Sequence, residues 1–122
     1  MPPLASLLFL AAMANATPAT DVDVCMRAAA AAARSSIADS DHEGCVCTVQ
    51  QLRKTLTPGD YELHETMEEI IASGADEKSF NSRLSAVMLK RGMNQADANA
   101  FLARARAAEA RAQQFCNPAP PP

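Results

Sequence analysis

The side chains best suited to chemistry lie in one short stretch, DHEGCVCTVQQL, at residues 41–52. His42, Cys45 and Cys47 fall within six residues of one another, and imidazole and thiolate groups bind copper(I) or zinc. A closed zinc site normally has four ligands, and the chain has no Cys-x-x-Cys motif and no histidine pair to complete one. Metal binding by His42, Cys45 and Cys47 is therefore the alternative interpretation. Thiol–disulfide exchange also stays open, although the spacing is Cys-x-Cys rather than Cys-x-x-Cys.

The favoured interpretation is that these cysteines form two separate disulfides. On a helix over residues 41–56, Cys45 shares one face with Val49, Leu52 and Leu56. Cys47 lies about 200° around the helix, at about 100° per residue, on a more polar face. Two thiols placed in this way cannot bond to each other, because a disulfide needs close Cβ atoms. We predict that each bonds to a different partner, one to Cys25 and the other to Cys116, and the sequence leaves the pairing open.

The disulfide to Cys25 raises a question of register. If the first two helices form a tight hairpin that turns near residues 37–40, Cys25 lies about 16 Å from the turn, at 1.5 Å per residue. Cys45 or Cys47 would lie only about 6 to 10 Å from it. The offset requires either a steep helix crossing or an interruption of the second helix at Gly44.

A second chemical motif, HETME at residues 64–68, matches part of a helical zinc-protease signature. Glu68 stands where the second histidine would be, so we expect a solvated acidic helix face instead. The acidic residues of this segment are the candidate surface for a basic partner protein; they are Glu62, Glu65, Glu68 and Glu69. With no nucleophile elbow or glycine-rich phosphate loop, the sequence predicts neither catalysis nor a cofactor.

Residues typical of helix starts and helix ends recur along the whole chain, and no segment alternates apolar and polar residues as a strand would. The predicted N-terminal caps are Thr20, Ser40, Thr57, Asp76 and Asn94. The predicted helix ends lie near Ser35, Leu56, Gly74, Gly92 and Cys116. Apolar stripes with helical spacing are Leu63, Met67, Ile70 and Ile71, then Phe80, Leu84, Val87 and Met88, then Phe101, Ala105, Ala108, Ala112 and Phe115. The fold class is all-α, a small bundle of four to five helices braced by two disulfides.

The disulfides are expected to matter because much of the apolar content is alanine, as in RAAAAAAR at residues 27–34. Alanine favours the helix but buries little apolar area, so the core should be thin. Small exported proteins commonly offset a thin core with disulfides, which form in oxidising compartments.

The first residues suggest export. An apolar run of about ten residues from Leu4 to Met13 is too short to span a bilayer, and Ala14, Asn15 and Ala16 form a signal-peptidase pattern. No Lys or Arg precedes the run. We expect a signal peptide at residues 1–16, a helical domain at residues 17–116 and a disordered proline-rich tail at residues 117–122. The expected location is periplasmic or secreted, with no stable membrane insertion after cleavage.

Composition limits the function classes. The net charge is -3 and aromatic residues make up 4% of the chain, whereas a nucleic-acid binder shows a basic face and often stacking aromatics. We predict a non-catalytic exported protein that binds another protein, as an inhibitor, immunity factor or chaperone-like adaptor does. Carriage of an apolar ligand is a third class, but it needs a cavity, and the alanine-rich stripes are expected to be too small to line one.

Overall fold

A computed structural model of the protein describes residues 18–33 and 40–117, and the described chain is all-α, as the sequence predicts. The expected signal peptide at residues 1–16 lies outside the described residues, as does the expected tail beyond Asn117. Five helices follow one another, with no strand in the described ranges: α1 Ala19–Ala33, α2 Ser40–Thr55, α3 Pro58–Ala72, α4 Glu77–Lys90 and α5 Gln95–Cys116.

The capping residues of the last three helices are the ones that the sequence predicts. The Thr57 hydroxyl accepts a hydrogen bond from the backbone N–H of Asp60, at 3.2 Å, and Pro58 occupies the first turn of α3. Asn94 and Asp97 accept from each other's backbone N–H at the start of α5. These side chains satisfy N–H groups that have no partner within the helix, and so they fix where each helix begins.

Helix α1 begins differently from the prediction, and α2 runs without a break. Helix α1 starts at Ala19, with the Val22 N–H bonded to the Pro18 carbonyl, so Thr20 lies inside the first turn and does not cap it. Gly44 is helical, so of the two arrangements that could absorb the register offset, the interruption of α2 at this residue does not occur. A single glycine costs a helix only about 1 kcal/mol, which tertiary contacts can offset.

Within residues 18–33 and 40–117, the apolar stripes build three small clusters of buried side chains rather than one large core. The first joins α3, α4 and α5 through Leu63, Met67, Ile70, Leu84, Met88, Phe101 and Ala105. The second joins α2 and α5 through Leu52, Leu56, Ala108 and Ala112, and the third joins α1 and α2 through Val22, Cys45 and Val49. Tyr61 packs against both of these last two clusters, so α3 links them.

The prediction that Phe115 belongs to the buried stripe of α5 is wrong. Phe115 follows the helical spacing of the buried face of α5 but is 67% exposed. It lies in the last turn of α5, where Cys116 is bonded to Cys47. A covalent bond therefore holds this end of α5 to α2, and burial of the phenyl ring is not needed to hold it there.

The two disulfides are Cys25–Cys45 and Cys47–Cys116, each with a Cα–Cα distance of 5.8 Å. The prediction that Cys45 and Cys47 bond to different partners is confirmed, and the structure decides the pairing. Cys45 is buried together with Val49, Leu52 and Leu56, as the helical spacing predicts. Disulfides of this kind are typical of an oxidising compartment. Within the described residues, no helix is both long and apolar enough to cross a membrane.

Candidate functional site

Two polar contacts hold α1 and α5 against α3, on which the candidate site is built. The Tyr61 hydroxyl donates a hydrogen bond to the carboxylate of Asp21 on α1, at 2.6 Å. Burial and this hydrogen bond raise the pKa of Tyr61. Arg104 on α5 donates two hydrogen bonds to the carboxylate of Asp60, at 2.7 and 3.0 Å, and these hold the pKa of Asp60 below its usual 3.8.

The site itself is a cluster of one imidazole and two carboxylates between α3 and α5, made by His64, Glu68 and Glu109. His64 and Glu68 are one turn apart on α3, so they share a face. Glu109 reaches them from α5, where it sits beside the buried Ala105, Ala108 and Ala112. Ala105 packs in the same cluster as Leu63 and Met67 of α3, and Glu109, one turn further along α5, is thereby placed within reach of α3.

The ligand-type atoms of the cluster are close together. His64 Nε2 lies 2.8 Å from Glu109 Oε1, to which it donates a hydrogen bond, and 3.8 Å from Glu68 Oε1. One such atom from each of the three residues falls within 4.8 Å of the others. His64 is 1% exposed, whereas the side chains of Glu68 and Glu109 are 24% and 44% exposed. The imidazole is therefore fixed by packing, and the carboxylates are free to adjust.

The other nitrogen of the His64 ring is unusual. Nδ1 is buried and has no hydrogen-bond partner among the described residues. A third carboxylate, that of Glu65, approaches this nitrogen, but its Oε1 is 3.8 Å away, which is too long for a hydrogen bond. A buried polar atom without a partner costs about 1 to 3 kcal/mol, so this arrangement needs a functional or structural explanation.

The protonation states within the cluster depend on one another. Burial lowers the pKa of His64, but the Glu109 hydrogen bond and the negative charges of Glu65 and Glu68 outweigh it and raise the pKa to about 9. Burial raises the pKa of Glu68 to about 7; attraction to His64 opposes this rise, and repulsion from Glu109 and Glu65 adds to it. Three carboxylates thus surround one imidazole, and the cluster as a whole attracts positive charge.

The cluster forms one wall of a groove of about 780 Å³ between α1, α2, α3 and α5. Its other walls include the Cys25–Cys45 disulfide and four small residues; these are Ala28, Ala29, Ala32 and Ala110. The groove is open to solvent, and the alanine-rich stripe of the sequence analysis, Ala105, Ala108 and Ala112, is buried and is not part of its lining. The lining alanines fill little of the space between helices whose spacing is set elsewhere, by disulfides and by larger residues such as Leu52.

The structure corrects the expectation of a solvated acidic face on α3 and divides the four predicted partner-binding residues. Glu65 and Glu68 turn towards His64. Glu62 is exposed and forms an ion pair with Arg91, at 3.1 Å, and Glu69 is exposed. The HETME histidine is thus a buried residue, because Leu63 and Met67, its neighbours in the chain and on the next turn, belong to the core.

Glu109 is the functional candidate that sequence reasoning missed. It comes 41 residues after Glu68, so only the packing of α5 on α3 reveals the contact. A signal was present: Glu109 follows Ala105 by four positions and Ala108 by one, which places it at the edge of the stripe that α5 buries. An acidic residue at the edge of a buried alanine stripe indicates a polar contact with the facing helix.

The Cys-x-Cys stretch does not assemble a ligand set in this structure. All four cysteines are paired in disulfides, so neither Cys45 nor Cys47 carries a free thiolate. His42 is exposed and lines a smaller groove of about 410 Å³ between α1 and α2, with Val22, Met26 and Val46.

Comparisons of the chain with models of protein families, with curated proteins and with solved structures found no match. The interpretation of the groove and of its histidine–carboxylate cluster therefore rests on the geometry described above.

Proposed function

We propose that this protein is an exported, non-catalytic binding protein, and that it holds a segment of a partner protein in the groove between α1, α2, α3 and α5. Export would follow from cleavage of residues 1–16, after which the two disulfides form in an oxidising compartment. The partner relationship is of the inhibitor, immunity or chaperone-adaptor type. The observation that carries the proposal is the groove, whose volume of about 780 Å³ can receive several side chains of a partner.

The character of the groove favours a partner segment that is both apolar and basic. Leu52, Ile71 and the alanines provide apolar walls; two charged residues of the lining, Glu68 and Glu109, are acidic, and one, Arg106, is basic. Glu69 follows Glu68 on α3, is exposed and adds a negative charge outside the groove, whereas Glu62 is paired with Arg91. Complementary charge of this kind speeds association and fixes the orientation of a partner.

A second candidate function, the carriage of a small apolar or cationic molecule, is favoured by the same volume. Ligand pockets typically measure about 300 to 1,000 Å³. Native mass spectrometry of the protein released gently from its own envelope separates the two candidates, since a small ligand adds a discrete mass of its own. Metal binding by His42, Cys45 and Cys47 would require reduction of both disulfides, so it is not the function that this fold favours.

The test of partner binding uses substitutions that fill the groove. Ala29 and Ala110 line it and are exposed, so a tryptophan at either position can occupy the groove without disturbing the buried clusters. Ala107 is exposed on α5 and does not line the groove, which makes Ala107→Trp the matched control. The three variants and the wild type are expressed with an affinity tag in the native host, and envelope proteins are captured with each.

We expect one partner in stoichiometric amount with the wild type and with Ala107→Trp, and its loss with Ala29→Trp and Ala110→Trp. Circular dichroism checks that all four proteins are equally helical. Capture of the partner by all four proteins would contradict docking in the groove. Recovery of the wild type from the cytoplasm with residues 1–16 attached would contradict export.

A further inference from the structure

We propose that His64, Glu68 and Glu109 bind a divalent transition-metal ion, with Zn²⁺ as the preferred ion, at the wall of the groove. This site is independent of the partner proposed above, because the isolated chain supplies all of its ligands. It is also distinct from the Cys-x-Cys stretch, since its donor atoms are one imidazole nitrogen and two carboxylate oxygens and no sulfur.

The donor set is the first argument. Zn²⁺ accepts histidine nitrogen and carboxylate oxygen at about 2.0 to 2.2 Å, and sites with three protein ligands leave a fourth position for water or a substrate. Mg²⁺ and Ca²⁺ prefer oxygen ligands alone, so the buried imidazole selects against them. Three carboxylates around a single imidazole also leave a negative charge that a divalent ion would neutralise.

The distances are the second argument. Ligands about 2.1 Å from a tetrahedral ion lie about 3.4 Å from one another. His64 Nε2 is 2.8 Å from Glu109 Oε1 and 3.8 Å from Glu68 Oε1, so the observed separations lie on either side of this value. The first pair must open by about 0.6 Å and the second close by about 0.4 Å to accept the ion. Both movements fall on the glutamates, which are partly exposed, and not on the fixed imidazole.

The unsatisfied Nδ1 atom of His64 is the third argument and is independent of the other two. A histidine that binds a metal through Nε2 carries its proton on Nδ1 and usually donates it to a carboxylate, which orients the ring. In this protein the Glu65 carboxylate lies beside Nδ1 at 3.8 Å, and nothing else among the described residues accepts from that atom. A small shift of Glu65 would complete the arrangement and satisfy the buried nitrogen.

The groove determines what the ion could do. His64, Glu68 and Glu109 all line it, so the fourth coordination position can open into a space that reaches solvent. An ion bound in this way is exchangeable and can accept a further ligand, in contrast to a closed structural site. The chemistry therefore fits the binding or buffering of metal, or the capture of a ligand with a metal-binding group.

The test is calorimetric titration of Zn²⁺ into the oxidised full chain, with both disulfides intact and no free thiol detectable. We expect one Zn²⁺ per chain in the wild type. Glu68→Gln and Glu109→Gln should each weaken binding about tenfold or more, because an amide is a poor ligand for zinc but preserves the shape of the side chain. The matched controls are Glu69→Gln on the same helix and His42→Gln, since His42 and His64 are the only two histidines; neither control should change the affinity.

Two further readouts identify the ligands directly. X-ray absorption at the zinc edge should show nitrogen and oxygen neighbours at about 2.0 to 2.1 Å and no sulfur neighbour at about 2.3 Å. Nitrogen NMR of the imidazoles should show Nε2 of His64, and neither nitrogen of His42, shifting on addition of Zn²⁺. Helical circular dichroism and the melting temperature of the metal-free variants establish that each one folds.

Three outcomes would overturn the proposal: no stoichiometric binding of Zn²⁺ by the wild type, full affinity in folded Glu109→Gln, or sulfur in the first coordination shell. Loss of Zn²⁺ binding in His42→Gln would also overturn the proposal, because it would place the site at His42. None of these outcomes bears on partner capture, which is measured with the tryptophan variants, so the two proposals can fail separately.

Discussion

The two disulfides should stabilise the protein unequally because they close loops of different length. Cys47 and Cys116 are 69 residues apart, and Cys25 and Cys45 are 20 residues apart. Constraining the unfolded chain in this way contributes about 4.4 kcal/mol for the longer loop and about 3.3 kcal/mol for the shorter one. Replacing Cys47 and Cys116 with alanine should therefore reduce the free energy of unfolding by about 1 kcal/mol more than replacing Cys25 and Cys45.

Urea unfolding followed by circular dichroism measures both the free energy and its dependence on urea, the m-value. The m-value is the cleaner quantity, because Cys45 is buried and its replacement adds a loss of packing that changes only the free energy. An open chain exposes more surface on unfolding than a cross-linked one, so m should rise in both variants and rise more without Cys47–Cys116. An equal or larger rise without Cys25–Cys45 would refute the reasoning, and so would an unchanged free energy of unfolding in both variants.

Further predictions concern the ionisable and aromatic contacts. Tyr61 is the only tyrosine and there is no tryptophan; because its folded pKa is raised above the unfolded value of about 10, stability should fall as pH rises beyond about 10. Tyrosinate absorbance should then appear together with the loss of helical circular dichroism, and its appearance in a fully helical protein would contradict the burial of Tyr61. The depressed pKa of Asp60 means that its bond with Arg104 stabilises the fold above pH 3.8 and that this contribution is lost as pH falls through the lower folded pKa. Arg104→Gln should accordingly lower the melting temperature at neutral pH and leave it unchanged at an acidic pH where Asp60 is protonated. An equal decrease at the two pH values would rule out the ion pair as the cause. Phe101→Ala should reduce the free energy of unfolding by about 3 to 5 kcal/mol because the ring is fully buried. Phe115→Ala should change it by less than about 0.5 kcal/mol. Similar reductions for the two variants in urea unfolding would contradict the difference in burial.

The sequence predicts most of this fold because its helix boundaries are set by local chemistry. Thr57, Asp76 and Asn94 each cap a helix through a side chain that bonds a backbone N–H three residues later, and a pattern so short is visible in the sequence. Gly74 and Gly92 adopt positive φ values of 80° and 72° after the helices that they end. Such positions strongly favour glycine, so the ends of these helices can also be predicted from the sequence.

The pairing of the cysteines and the candidate metal site could not be predicted in the same way. Which of Cys45 and Cys47 reaches Cys25 depends on how α1 crosses α2, and that is a tertiary property. The contact between His64 and Glu109 joins residues 45 positions apart across two helices. Helical spacing placed Leu63 and Met67 in the core but gave no reason to bury the histidine between them. That reason lies in a carboxylate carried by another helix.

The Cys-x-Cys spacing has a mechanical consequence. Both disulfides meet on α2 with a single residue, Val46, between their cysteines, so a covalent path runs from Cys25 through Cys45, Val46 and Cys47 to Cys116. Tension applied at the two ends of the helical region travels along this short path and bypasses residues 26–44 and 48–115. Those residues are shielded from extension, and one protease cut within either loop leaves the two fragments joined. Resistance to force and to nicking is thus a property of the oxidised chain that reduction would remove at once.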